Sequence, residues 1–252
     1  MNLQAIIAIA AAQGLDLWRR PSTRLLAAAG AAAILSLRWF SAFGLGYELV
    51  QLQELGVYTL GLCAALAVLM ICLPRDNESG SDETAILLTR PVSALSLSLG
   101  AYLGRLAAVS ALCVVWGLSM ALAIWWFSLS EPRLFSYNGA DSALEESLRL
   151  ILPCLGQWLV AAVLLALVQP VSRSGRPGVT AVALIVVYVV GFSSGSLGIL
   201  SSLLPDFQRL DLTGGLWGGD RGIDGFWLAP HALLWCIVGL SIDTGTLRML
   251  RA

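Results

Sequence analysis

Few side chains in this sequence are placed for covalent chemistry. Gly191-Phe192-Ser193-Ser194-Gly195 fits the GxSxG pattern of acyl-transfer nucleophiles, and the single histidine, His231, lies downstream. A serine nucleophile needs a base within hydrogen-bond reach and donors for the oxyanion, and nothing in the sequence supplies that geometry. Glycine and serine in an apolar helix more often let helices pack closely. An intramembrane serine protease is therefore the lesser reading, and no catalytic residue is assigned. Cys63, Cys72, Cys113, Cys154 and Cys236 all fall in apolar runs, without CxxC spacing or an adjacent histidine, so they read as packing residues and no metal site is expected. No GxxxxGK[ST] loop occurs, so no ATP hydrolysis and no cofactor is expected of this chain itself.

Recognition is better represented than catalysis. Between Asp76 and Ala107 an acidic stretch with Glu78 and Glu83 leads into a short apolar helical turn, Thr84 to Leu88, and then into Arg90-Pro91-Val92-Ser93. An exposed apolar turn bounded by charges suits a docking partner, and it equally suits a surface helix resting on lipid headgroups. Two further polar residues fall inside apolar runs and are candidate pathway residues, Arg38 and Gln157. Arg38 also has the simpler option of reaching the membrane interface beside Trp39.

The elements that must position these residues follow from hydropathy. Of 252 residues 58% are hydrophobic and 12% charged, about half the charge a water-exposed domain carries. Six apolar runs, at about 25–45, 55–73, 95–129, 148–168, 179–200 and 226–247, approach or exceed the roughly 20 residues a helix needs to cross hydrocarbon. The expected fold is all-α, a single polytopic transmembrane domain over 1–252. Leu3, Ile6, Ile7, Ala10, Ala11 and Gly14 recur at helical spacing ahead of the first run, which predicts an N-terminal helix lying in the membrane surface and anchored by Trp18 and Arg19-Arg20. No cation precedes Arg19, so this stretch is expected to stay in the mature protein. Ser142-x-x-Glu145 predicts a capped helix start before the fourth run.

Every basic residue is an arginine. With the N-terminus cytoplasmic, Arg19, Arg20, Arg24, Arg75, Arg90, Arg105, Arg173, Arg176, Arg248 and Arg251 lie on or near that side, against Arg38, Arg133, Arg149, Arg209 and Arg221 on the other. Both termini and the 74–94 segment are thus expected in the cytoplasm. A net charge of −1 without a basic cluster excludes nucleic acid. No internal repeat supports an inverted-repeat carrier. A channel or proton-coupled carrier would place acids or histidine at mid-membrane, whereas the polar groups expected there are mainly Gln157, Ser110, Ser119 and Thr180, with carboxylates at ends and loops.

In this order the residues of the second cytoplasmic segment resemble the ABC-2 type transporter permeases. The matching positions are Glu78, Glu83-Thr84, Leu87-Leu88, Thr89, Pro91-Val92-Ser93, Leu99-Gly100 and Tyr102-Leu103-Gly104, with Glu83 standing where the family usually has glycine. Leu204-Pro205-Asp206-Phe207-Gln208-Arg209-Leu210-Asp211 is similar to a segment that follows the fifth span in many of these permeases. The resemblance implies a six-span subunit of an ATP-driven exporter in the bacterial inner membrane, paired with a second permease copy or paralogue and with a separate ABC ATPase that binds the ATP. It further implies that the segment between spans two and three is a coupling helix. Thr84, Leu87 and Leu88 would supply its apolar docking, Glu83 and Arg90 its charge register, and Glu78 and Pro91 would belong to the same ATPase-binding element. The outer loop at 201–226 is expected to cap the exit or meet a periplasmic partner. Within the same class the haem-exporter-type permease is the alternative, with six spans and a similar loop.

Overall fold

The computed structural model describes residues 3–40, 47–73, 93–137, 142–173, 176–194, 204–212 and 225–251. Among these residues the secondary structure is entirely helical: α1 (Leu3–Arg19), α2 (Pro21–Phe40), α3 (Glu48–Cys72), α4 (Ala94–Ser130), α5 (Pro132–Tyr137), α6 (Ala143–Arg149), α7 (Ile151–Ser172), α8 (Pro177–Ser193), a 3₁₀ turn (Gln208–Leu210) and α9 (Gly225–Arg251). Four stretches are long and apolar enough to cross a membrane: Glu48–Cys72, Ala94–Ser130, Ala143–Ser172 and Ala229–Met249; α8 is a shorter apolar helix. The protein is membrane-embedded, and its surface agrees, since Leu62, Leu118, Val182, Ile185 and Leu233 are all exposed apolar side chains.

The elements begin and end where side chains dictate. Ser93 caps α4 by accepting the Ser96 amide at 3.1 Å, and Glu131 followed by Pro132 ends it. Ser142 caps α6 by accepting the Glu145 amide at 3.1 Å, as its spacing predicts. The expected run at 55–73 begins earlier, at Glu48, because Glu48 and Gln53 are buried against the bundle rather than left in a loop. Of the expected run at 25–45, α2 covers the part to Phe40, and of that at 179–200, α8 covers the part to Ser193; residues 41–46 and 195–200 lie outside the described residues.

Contacts set the directions. Gly30 of α2 meets the indole of Trp116 and Arg38 meets Phe127, so α2 runs parallel to α4. Lower down, α1 lies along the start of the same helix, with Ile9 against Gly100 and Gln13 against Gly104. A Cβ on Gly104 would stand 2.6 Å from the Ala10 carbonyl oxygen, so this close approach requires glycine. Helix α1 seats Ile6 and Leu17 inward while leaving Leu3, Ile7 and Leu15 exposed. Helices α3, α7 and α9 run the other way: Gln53 pairs with Glu146 and Gly61 meets Gln157 between α3 and the α6–α7 stretch, while Gly239 of α9 meets Ala166 of α7. We call the end where α4 begins and α3, α7 and α9 finish the base, and the opposite end the top. One core of Leu52, Leu60, Val68, Leu112, Trp116, Ile124 and Leu164 joins the bundle throughout.

Candidate functional site: a buried polar cluster at the base

Asp243 is wholly buried, inside the apolar stretch of α9. A bare carboxylate there would cost several kcal/mol, roughly, so its neighbours must supply both charge and donors. They do. Ser98 Oγ of α4 donates to Asp243 Oδ2 at 2.6 Å, and Gln169 Nε2 of α7 donates to the same oxygen at 2.7 Å. Arg173, which caps the end of α7, donates Nη2 to Oδ2 at 2.9 Å and Nε to Oδ1, a two-pronged ion pair. Gln169 Nε2 also donates to the Ser98 carbonyl at 3.2 Å. Three helices therefore share one carboxylate.

The cluster reaches α3 as well. Ser172 Oγ donates to the Gln169 carbonyl at 2.7 Å, and Arg105 Nη1 lies 3.4 Å from Ser172 Oγ, with the Cys72 thiol at the end of α3 beside its guanidinium. One turn before Arg105, Tyr102 donates to the Ala162 carbonyl at 3.2 Å and stands 3.3 Å from Cys236 Sγ. Ser98, Tyr102 and Arg105 thus form a polar seam on α4 that ties it to α3, α7 and α9.

The place of this seam gives it interest. Leu73 caps the end of α3 and Ser93 caps the start of α4, so the cluster lies where the segment 74–92 joins the bundle. Glu78, Glu83, Thr84, Leu87, Leu88, Arg90 and Pro91 belong to that segment and lie outside the described residues. None of the cluster's polar residues stood out in the sequence as a site. Asp243 lies in the last turns of α9, and α7 brings it a cation from a distant part of the chain. A lone acid in an apolar run was the available signal.

The two candidate pathway residues are in different environments. Gln157 is 3% exposed and faces Gly61, where a Cβ would stand 2.3 Å from its Oε1. Arg38 is at the top, its guanidinium 4.6 Å over the Phe127 ring and 3.6 Å from Glu131, with its side chain 15% exposed. Trp39 and Trp126 meet edge-on beside it at 5.9 Å, an arrangement suited to a membrane interface. The structure does not bring Arg38 and Gln157 together.

Also at the top, residues 204–212 fold into the bundle rather than over it. Phe207 and Leu210 are fully buried, and the Phe207 amide donates to the Gly191 carbonyl at 3.0 Å. Gly191 is where the Phe207 ring enters, since a Cβ there would stand 2.3 Å from it. The Asp206 amide donates to His231 Nε2 at 3.0 Å, and Ser194 Oγ donates to the Gly191 carbonyl at 3.0 Å. Gly191 and His231 therefore seat this segment, while the Ser194 hydroxyl bonds the end of its own helix. The five cysteines are free thiols, buried or half-buried, and among the described residues no group of histidine, cysteine and acidic side chains could hold a metal ion.

These features define a membrane-embedded helical bundle with a buried charged cluster at its base and a buried apolar segment, around Phe207 and Leu210, at its top. The chain matches no protein-family model, and no curated protein matches it.

Proposed function

We propose that this chain is the permease subunit of an ATP-driven ABC-2 type exporter, working as a pair of permeases with a separate ATPase. The observation that carries the reading is the ordered set Glu78, Glu83-Thr84, Leu87-Leu88, Pro91-Val92-Ser93 and Leu99-Gly100 between α3 and α4. In this reading α2, α3, α4, α7, α8 and α9 are six passes, and the alternation of their directions supports it. Both termini and the base then face the cytoplasm of a bacterial inner membrane, in keeping with the arginine bias.

Mechanism follows from rigidity. An ATPase closing on the segment 74–92 would pull on Leu73 and Ser93, the caps of α3 and α4. Helix α4 is 37 residues long, about 55 Å at 1.5 Å per residue, so displacement at Ser93 reaches the Trp125–Trp126 level as a tilt. Ser98 and Arg105 would carry α7 and α9 along through Asp243, Gln169 and Ser172. The plug at Phe207 and Leu210 is the element such a tilt would open.

The test is co-purification from the native membrane. The chain should bring down an ABC ATPase, and Leu87→Asp with Leu88→Asp should abolish that association while leaving the protein inserted. Undiminished recovery of the complex from the double variant would remove the coupling role from this segment.

A further inference from the structure

The base holds three arginines whose charges act on one another, Arg20, Arg105 and Arg173. Two have carboxylates. Arg20 donates to Asp16 at 2.7 Å and Arg173 is clamped on Asp243. Arg105, half-buried between them, has only the hydroxyl of Ser172 at 3.4 Å and the Cys72 thiol, and no ion pair among the described residues. Asp243 also attracts Arg105, but that carboxylate is already clamped by Arg173. A half-buried cation repelled by two others, with no carboxylate of its own among the described residues, is costly, and an anion beside it would offset that cost.

The level of Arg105 in the membrane says what kind of anion. From Arg105 to the interfacial pair Trp125–Trp126 is about 20 residues of continuous helix, roughly 30 Å, which is the thickness of the hydrocarbon core. Arg24 precedes Trp39 by 15 residues along α2, roughly 22 Å, and Arg20 immediately precedes that parallel helix, so both lie toward the same end as Arg105. With the tryptophans at one boundary, these arginines lie at the other, in the layer where lipid phosphates reside. Trp18, Leu15 and Ile7 keep α1 exposed to lipid at that end. Arginines between membrane helices at the headgroup layer are a known way to bind anionic lipids.

We infer that Arg105, flanked by Arg20, holds the phosphate of an anionic phospholipid in the leaflet at the base. The lipid fills the charge gap between α1, α3, α4 and α7, and so bears on the same seam that contains Ser98 and Asp243. This site does not depend on the exporter reading.

The experiment uses the full chain in neutral detergent, titrated with phosphatidylglycerol, phosphatidylcholine or inorganic phosphate, with the unfolding midpoint and bound lipid by native mass spectrometry as readouts. Phosphatidylglycerol should raise the midpoint and stay bound where phosphatidylcholine does not. Arg105→Gln should weaken that preference by about fivefold, the loss of one cation near a charged surface. Arg248→Gln, at an exposed arginine elsewhere on the base, should leave it unchanged. Should Arg105→Gln fail to fold, Arg20→Gln and the lipid preference of the unmodified chain decide the matter. Equal response to both lipids, or equal protection by inorganic phosphate, overturns the lipid site. So does a preference that emerges only when Asp76, Glu78, Asp82 and Glu83 are neutralised, because the arginine would then belong to that acidic stretch.

Discussion

Arg173 and Asp243 stand 70 residues apart in sequence, yet the guanidinium of one grips both oxygens of the other at the base of the bundle. Through Ser98 and Gln169 that pair also holds the first turns of α4, so the helix that follows the segment 74–92 cannot shift alone.

Removing one partner of this pair leaves the other charge buried. Asp243→Leu should therefore destabilise the protein by about 3 kcal/mol or more, and Arg173→Leu with Asp243→Leu should recover much of that loss. Unfolding midpoints of the three proteins in detergent provide the check. A double variant no better than Asp243→Leu would show that the serine and glutamine contacts, not the charge pair, dominate.

The plug at the top makes a packing prediction. Phe207→Ala opens a void in a fully buried site and should cost about 3 kcal/mol or more. Gly191→Leu drives a side chain into the space of the Phe207 ring and should expel the segment. Protease cleavage between Leu204 and Leu212 measures expulsion; an uncut Gly191→Leu protein would contradict the seating of Phe207.

Arg38 behaves in the structure as an anchor, held by a cation–π contact and a half-exposed carboxylate. Arg38→Leu should lower stability by about 1 kcal/mol and leave transport at its normal rate in vesicles. A loss of transport without a loss of stability would instead put this arginine on the pathway.

Ser194 and His231 donate to and accept from backbone groups that seat the plug. A fluorophosphonate probe should leave Ser193 and Ser194 unlabelled, and Ser194→Ala should change stability by no more than about 1 kcal/mol. Labelling that depended on His231 would revive the hydrolase reading.

Much of the architecture is legible in the sequence because lipid forces long apolar runs and punctuates them with caps. Ser93 and Glu131-Pro132 bound α4 to within one residue of the expected run at 95–129, and Ser142 starts α6 as its spacing requires. The start of α3 was hidden because Glu48 and Gln53 look like loop residues until Glu146 arrives to bond Gln53. The base cluster was hidden for the same reason, magnified: Ser98, Gln169, Arg173 and Asp243 come from three helices, and nothing in local periodicity pairs them. Where sequence pattern does carry information about partners, in Glu78 to Pro91, it does so through resemblance rather than geometry, since those residues lie outside the described ones.

The central claim is that an ATPase drives this bundle through the segment between α3 and α4. Its most direct measurement is vanadate-sensitive ATP hydrolysis in the complex purified by this chain from its native membrane. The account predicts hydrolysis that co-purifies with the unmodified protein and disappears from the Leu87→Asp, Leu88→Asp protein recovered at equal yield. A chain purified intact and folded with no associated ATPase activity, or equal activity from both proteins, would contradict it.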